Sequence, residues 1–286
     1  MKVVIGVDWS DEAFAAVEQL GLLYQPTEVT LVHGVDLGFF EYPIVAEAAN
    51  LQGYDIFRKA MFDAGCESLE RAATMLPGDA PKPRQLCEYR KPARFLLDAA
   101  ASITADLIVV GTHDHSRMAE LVLKSISHQV LLHATQPTLI VKGKTKTFRR
   151  VLISVEGQED GQHICDWLAR HPFRTPIEAT VLTAVPVIQM LESSSSMVGL
   201  ETWSEELVKR AEDNAKTCAE SLPRSIFTPS SRVMRGEPAP VVADAAKEFD
   251  LVVVGSHGRK GFDRFLLGSV SHAIVHRAPC SVLVVR

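Results

Sequence analysis

The chain contains 286 residues, more than the roughly 100 to 200 residues of one ordinary domain, so the length favours two domains. Hydrophobic residues make up 47% of the chain and charged residues 23%, and this composition excludes a chain that is disordered over most of its length. The 35 acidic residues exceed the 30 Lys and Arg, giving a formal net charge of -5. This balance argues against binding to nucleic acid through bulk positive charge.

The sequence carries no sign of a membrane segment or a secretion signal. No uninterrupted apolar stretch approaches about 18 residues, and the first apolar run, Val3 to Val7, ends at Asp8. The five cysteines lie at positions 66, 87, 165, 218 and 280, without a C-x-x-C pair or a metal-like spacing. We therefore expect a cytoplasmic protein with reduced thiols, no disulfide framework and no membrane association.

Short apolar runs alternate along the chain with longer stretches of helical periodicity. In the first half the predicted strands are residues 2–7, 28–35, 84–88, 106–110 and 137–141. In the second half they are residues 150–155, 178–185, 231–235, 250–254 and 281–285. Because the runs are continuous rather than alternating, they indicate sheets covered on both faces. Pro92 and Pro238 each precede an apolar turn and predict helix starts, where a missing N–H does no harm.

The two halves are repeats of each other. Asp106-Leu-Ile-Val-Val-Gly-Thr-His113 matches Asp250-Leu-Val-Val-Val-Gly-Ser-His257 at an offset of 144 residues, and the offset persists as far as Val141 and Val285. A polar, basic stretch over 142–147 predicts the linker. We expect an α/β fold of two tandem doubly wound, mostly parallel five-stranded sheets with helices on both faces, in domains 1–143 and 149–286.

The turn after the fourth strand of the second unit carries the most specific pattern, G-x2-G-x9-G-S. Its defined positions are Gly255, Gly258, Gly268 and Ser269. Glycines let backbone N–H groups approach an anion, and the N-terminus of a following helix attracts phosphate. Arg259 and the neighbouring lysine add positive charge. The pattern suits a polyphosphate; the alternative is a glycine-rich turn followed by an ordinary Ser N-cap.

With the strand ends Val7-Asp8-Trp9-Ser10 and Val32-His33-Gly34, this turn resembles the ATP-binding branch of the universal stress protein family. The resemblance covers essentially the whole chain, twice. It implies an adenine nucleotide alpha hydrolase-like, Rossmann-like fold that binds ATP, ADP or AMP, with or without Mg²⁺. In the C-terminal unit, the resemblance and the charge of the turn make these residues the candidate nucleotide contacts: Glu156, Ala184, Gly255, His257, Gly258, Arg259, Gly268, Ser269 and Val270.

Both units depart from the family pattern. In the C-terminal unit, Glu156 stands where family members place an Asp that contacts the nucleoside. In the N-terminal unit, Asp8 and Gly34 match the family, but Asp114 and Lys124 replace two glycines of the turn. A carboxylate about 4 Å from a phosphate charge costs on the order of 4 kcal/mol, about a thousandfold in affinity. We expect one competent site per chain, in the C-terminal unit, with an Asp114–Lys124 pair closing the other; an altered ligand site is the alternative.

Patterns for metal binding or catalysis are weak. His113 and His115 flank Asp114, with His128 and His133 further on, but the spacing matches no standard zinc site. The chain has no G-x-x-x-x-G-K-[ST] loop, no G-x-G-x-x-G after the first strands and no G-x-S-x-G elbow. We predict no metal site, no catalytic residues and at most slow, incidental ATP hydrolysis.

Each unit closes on an apolar strand whose edge would pair with another strand if left bare. The family resemblance implies that the two units pair as a pseudo-dimer within one chain; the alternative is an edge covered by the unit's own helices. A homodimer of chains stays open. The favoured function is a nucleotide-binding stress-response or signalling module with an unknown protein partner. A nucleotide-independent adaptor with two vestigial pockets is the alternative, and an adenylating or hydrolytic enzyme is the third hypothesis.

Overall fold

The computed structural model describes residues 1–41, 53–112, 126–143, 147–187, 197–256 and 267–286. The chain divides into two compact units, Met1–Lys144 and Thr145–Arg286. Among the helices within these ranges, none combines the length and the hydropathy needed to cross a lipid bilayer.

The described part of the N-terminal unit is a parallel sheet with helices between successive strands. Its strands are β1 (Lys2–Gly6), β2 (Glu28–Gly34), β3 (Arg84–Glu88), β4 (Leu107–Gly111) and β5 (Thr138–Val141). Its helices are α1 (Asp11–Leu23), α2 (Tyr54–Thr74), α3 (Pro92–Ser102) and α4 (Ile126–His133), with a short 3-10 helix at Gly38–Glu41. The strand order is β3-β2-β1-β4-β5, and every neighbouring pair is parallel.

The described part of the C-terminal unit repeats this plan. Its strands are β6 (Arg150–Ser154), β7 (Ile177–Val185), β8 (Phe227–Arg235), β9 (Leu251–Gly255) and β10 (Ser281–Val285). Its helices are α5 (Gln158–Arg170), α6 (Met197–Ser221), α7 (Pro238–Ala245) and α8 (Ser269–Arg277), with a 3-10 turn at Ala246–Glu248. The order β8-β7-β6-β9-β10 is again parallel throughout.

The strand order makes each unit doubly wound. From β1 the chain steps outward to β2 and β3, then crosses back to the other side of β1 to form β4 and β5; β6 to β10 follow the same path. Right-handed crossovers in opposite directions place the two pairs of helices on opposite faces. Helices of one face pack together, α3 on α4, α5 on α6 and α7 on α8. The predicted fold class is confirmed, and its switch points lie between β1 and β4 and between β6 and β9.

The core lies on the central strands. Every residue of β9 and β10 is buried, most of them valine or leucine, and β4 is buried except at its last residue. The edge strands β3 and β8 are mostly exposed or half-buried. The predicted covering of both faces is confirmed, and β3 and β8, though more exposed at the edge, each pack on a helix, α2 and α6 respectively. Their polar sequences, Arg-Gln-Leu-Cys-Glu and Thr-Pro-Ser-Ser-Arg, match the exposure of an edge.

Local signals placed most element bounds to within about one residue. The predicted helix starts at Pro92 and Pro238 are confirmed, since both prolines occupy the first turn of their helices. The largest difference is β8, which begins at Phe227 rather than at residue 231. Pro229 lies inside this strand, opposite Ala179. Because proline normally argues against a strand, the sequence pattern placed the start of β8 after it. An edge strand tolerates proline because one side of its backbone needs no ladder hydrogen bond.

Candidate functional site

The two ends of the glycine-rich turn meet at the carboxyl end of β9. Gly255 is the last residue of that strand, and the backbone N–H of Ser256 donates to the carbonyl of Val285 at 2.8 Å. The carbonyl of Ser256 accepts the N–H of Gly268 at 2.9 Å. This hydrogen bond holds the start of α8 beside the end of β9, so the first and third glycines of the pattern flank one point on the sheet edge.

The first turn of α8 faces this point with little side-chain cover. Gly268 is the N-cap and offers no capping side chain, while Ser269 and Val270 are exposed. Ser271 is buried, and its hydroxyl donates to the carbonyl of Gly255 at 2.6 Å. The alternative in which Ser269 is the N-cap is wrong, because Ser269 lies inside the helix. The first-turn N–H groups of a helix lack intrahelical acceptors and favour an anion.

A carboxylate from α5 reaches the same strand end. Asp160 is the third residue of α5, and its Oδ2 accepts the backbone N–H of Glu156 at 3.0 Å. Its Oδ1 lies where a Cβ on residue 255 would stand, so any larger residue at Gly255 would overlap the carboxylate. Glycine at this position therefore makes room for an acidic side chain at the edge of the sheet.

Burial raises the pKa of the Asp160 carboxyl to about 6. The hydrogen bond from the N–H of Glu156 opposes this shift, the negative charge of Glu156 adds to it, and His163 opposes it. The group is therefore mostly ionised at neutral pH but close enough to its pKa to take up a proton. A negative charge brought to the strand end would raise that pKa further.

The other predicted contacts of the C-terminal unit lie along this edge where the structure describes them. Glu156 is exposed in the loop after β6, and Ala184 is half-buried at the second-last position of β7. Because β9, β6 and β7 are neighbours in the sheet, their carboxyl ends lie side by side. His257, Gly258 and Arg259 lie outside the described residues.

The N-terminal unit has a cavity at the matching edge. It is lined at the ends of the first, second and fourth strands and the first turn of α3, by Asp8, Ser10, His33, Gly34, Pro92 and Gly111 among others. Asp8 and Gly34 are thus together, as the family resemblance implies. Asp114 and Lys124, predicted to close this pocket, lie outside the described residues, as do His113 and His115.

Side chains around this cavity are held by local hydrogen bonds. The Asp8 carboxylate accepts the backbone N–H of Ser10 at 2.8 Å, and the Ser10 hydroxyl accepts the N–H of Ala13 at 3.1 Å as the N-cap of α1. Nδ1 of the buried His33 lies 2.8 Å from the Val7 carbonyl, and the His33 ring packs on Trp9 with centroids 5.5 Å apart. These hydrogen bonds hold Asp8, Ser10 and His33 in the cavity wall.

Sequence reasoning missed two residues of the C-terminal edge, Asp160 and Ser271. An acid at the third position of a helix is a common N-terminal signal, which could have pointed to Asp160. Ser271 recurs at Ser127 in the other unit, and both serines are buried. The recurrence of this serine indicated a structural role, and the hydrogen bond from Ser271 to the Gly255 carbonyl shows what that role is.

Comparison with known proteins agrees with this architecture. The model of the Universal stress protein family matches residues 1–142 and again 147–286. A universal stress protein of Mycolicibacterium smegmatis is 31% identical over 206 residues, covering 70% of this chain and 68% of the relative. The crystal structure of a universal stress protein from Archaeoglobus fulgidus DSM 4304 superposes with a TM-score of 0.66 at 17% identity, covering 100% of this chain and 96% of its own.

The chain belongs to the universal stress protein family, as a member with two family domains in tandem. Another solved universal stress protein is in complex with cAMP; it is 20% identical, covers 49% of this chain and 97% of its own, and has a TM-score of 0.32.

Proposed function

We propose that this protein is a stress-response or signalling module that binds ATP or another adenine nucleotide at the carboxyl edge of its C-terminal sheet. The single observation that carries the proposal is the hydrogen bond from the N–H of Gly268 to the carbonyl of Ser256, which sets the N-terminus of α8 against the end of β9. A phosphate there would meet first-turn backbone N–H groups without an intervening capping side chain.

The neighbouring strand ends supply the rest of the proposed pocket. Glu156 and Ala184 lie where the ribose and adenine of a nucleotide would reach, since the family places the nucleoside across the first two strands. His257, Gly258 and Arg259 complete the proposed contact set as sequence-based assignments. This arrangement follows the general location of ligands at the switch point of a doubly wound sheet.

The Asp160 carboxylate opposes an anion at this edge, and Mg²⁺ offers one way to offset it. The Asp160 carboxylate accepts the backbone N–H of Glu156, and the negative charge of Glu156 acts on it. Mg²⁺ is usually held by one or two carboxylates together with substrate phosphates. These residues fit a magnesium ion that arrives with ATP. We accordingly expect ATP to bind more tightly with Mg²⁺ than in the presence of EDTA.

An adaptor function is the second candidate, and apolar exposure in the N-terminal unit favours it. Ile56 is 77% exposed, and Phe57 and Tyr89 are about half exposed. Such side chains are common at protein interfaces. A protein partner that binds here would need no nucleotide, so the adaptor function, unlike the main proposal, does not require nucleotide binding.

A cytoplasmic location, pairing of the two units within the chain and the absence of significant catalysis remain parts of the main proposal.

Isothermal titration of the full chain with ATP, ADP and AMP tests the proposal. We expect one nucleotide per chain. The double variant Gly258→Asp, Gly268→Lys gives the C-terminal turn the two residues of the N-terminal turn, and it should weaken ATP binding about a thousandfold because a carboxylate then faces the phosphates.

The matched control is the reverse pair in the N-terminal unit, Asp114→Gly with Lys124→Gly. This variant should keep the C-terminal site and can only add a second one. Retention of full affinity by the C-terminal double variant, together with loss of binding when the N-terminal cavity is altered by Gly34→Val, would move the site to the other unit. A protein that binds none of the three nucleotides would leave the adaptor as the better account.

A further inference from the structure

Two buried thiols lie side by side between α5 and α6 of the C-terminal unit. Cys165 and Cys218 are 2% and 6% exposed, and their sulfur atoms are 2.7 Å apart. The residues are separated by 53 positions in the sequence, so folding alone brings them together. Both are free thiols in this structure. A shift of well under 1 Å would bring the sulfurs to the bond length of a disulfide, about 2.05 Å.

The surroundings hold both sulfurs in place. The Cys165 thiol lies 3.4 Å from the backbone carbonyl of Cys218, and the Cys218 thiol lies 3.6 Å from the carbonyl of Gly161. A Cβ on Gly161 would stand 3.4 Å from the Cys218 sulfur, so α6 packs closely on the first turns of α5 at this point. The packing therefore holds the two sulfur atoms next to each other, while each thiol also lies within hydrogen-bond reach of one backbone carbonyl.

The pair also has the unequal acidity that disulfide formation uses. The hydrogen bond between the two sulfurs lowers the pKa of the Cys165 thiol, whereas the same hydrogen bond and burial raise the pKa of the Cys218 thiol. The thiolate is the reactive form of cysteine, so Cys165 is the nucleophile and Cys218 the resolving thiol.

We propose that Cys165 and Cys218 form a redox-active pair that closes to an intramolecular disulfide and clamps α5 to α6. This site is independent of the proposed nucleotide function. It differs from a disulfide framework because the fold is complete with both thiols reduced.

Peroxide is the oxidant class that fits a buried pair, because the molecule is small. The Cys165 thiolate attacks one peroxide oxygen, the O–O bond breaks, and a sulfenic acid and hydroxide form. The Cys218 sulfur then attacks the sulfenic sulfur; the S–S bond forms, the S–O bond breaks, and water leaves with the Cys218 proton. The two cysteines lose two electrons and two protons in total, and hydrogen peroxide becomes two molecules of water.

The test uses the full chain with its other three cysteines replaced, Cys66→Ser, Cys87→Ser and Cys280→Ser. After incubation with hydrogen peroxide until the thiol count is constant, the protein is unfolded, alkylated and weighed. We expect a monomer about 2 Da lighter with no alkylated cysteine, and a proteolytic fragment joining residue 165 to residue 218. Reduction by dithiothreitol should restore both thiols, and the oxidised form should melt roughly 10 °C higher.

A matched control separates the disulfide from other oxidation. Adding Cys218→Ser to the triple variant leaves Cys165 alone, and this protein should gain oxygen atoms instead of losing 2 Da. A triple variant that keeps two alkylatable thiols at the end of the peroxide incubation, or that links chains through these cysteines instead, would overturn the proposal.

Discussion

The two units build the same contact at the end of the fourth strand from different atoms. In the N-terminal unit, the space beside Gly111 is filled by the backbone carbonyl of Glu12; in the C-terminal unit, the space beside Gly255 is filled by the side-chain carboxylate of Asp160. Glu12 and Asp160 occupy equivalent positions near the start of the helix after the first strand. Both units therefore keep a close contact between the glycine at the strand end and the start of a helix. In the N-terminal unit the backbone makes this contact, and in the C-terminal unit a titratable side chain makes it.

The helix starts differ in a related way. In α1 the Ser10 hydroxyl caps the helix, and Asp8 supports the turn before it. In α5 the N-cap is Gly157, which has no side chain, and Asp160 instead reaches back to the N–H of Glu156. The acid that serves the helix start in the C-terminal unit is therefore the same acid that faces the candidate site.

The largest effect should come from adding one methyl group at each strand end. Gly111→Ala places its Cβ against backbone atoms of Glu12 that cannot move alone, and we expect a loss of about 3 kcal/mol in the N-terminal unit. Gly255→Ala meets the end of the Asp160 side chain, which can rotate away, so the loss should be about 1 kcal/mol. Hydrogen exchange of the amides of β1 and β6 measures the two units separately. Equal losses would contradict the distinction between backbone and side chain.

The next effect is a pH dependence confined to the C-terminal unit. The folded-state pKa of Asp160 is about 6 and its ordinary value is 3.8, so the folded state binds the proton more tightly than the unfolded state. Its stabilising contribution is therefore complete below about pH 4 and is lost as pH rises through 6, by at most about 3 kcal/mol. Asp160→Asn should remove this slope and stabilise the unit at pH 8.

Urea unfolding at pH 5 and pH 8, followed by the fluorescence of the buried Trp167, measures this slope. In EDTA, where no Mg²⁺ offsets the carboxylate, the same variant should bind ATP more tightly at pH 8, because one negative charge has left the edge. Glu12→Gln is the matched control: the Glu12 contact with Gly111 is made by backbone, so its side-chain charge should not matter to that contact. An unchanged slope in Asp160→Asn would show that another group carries the pH dependence.

The smallest effect concerns the caps. Ser10→Ala removes the hydroxyl that accepts the N–H of Ala13 and should cost about 1 kcal/mol in the N-terminal unit. Gly157→Ser supplies the C-terminal unit with the missing cap and should gain a few tenths of a kcal/mol. Thermal unfolding of each variant checks the two signs. A gain from Gly157→Ser as large as the loss from Ser10→Ala would mean that Asp160 does not already support the start of α5.

The part of the candidate site that the glycine-rich turn forms could be predicted from the sequence. The G-x2-G-x9-G-S spacing pointed to Gly255, Gly268 and Ser269, and the structure places all three at one strand end. Asp160 was not predictable from that spacing, because it comes from a helix that the turn does not adjoin in sequence. The contact between Cys165 and Cys218 could not be predicted for the same reason. A spacing of 53 residues matches no local motif, and the two thiols meet only when α6 packs on α5.

The repeat, the alternation of strands and helices, and the family could be inferred from the amino-acid sequence, because apolar runs, prolines and the glycine pattern act through local backbone geometry. The atoms that fill the space beside each glycine, and the contact between the two thiols, became visible only in the folded chain. Those contacts depend on the packing of side chains from distant elements, where displacements of about an ångström decide between contact and overlap.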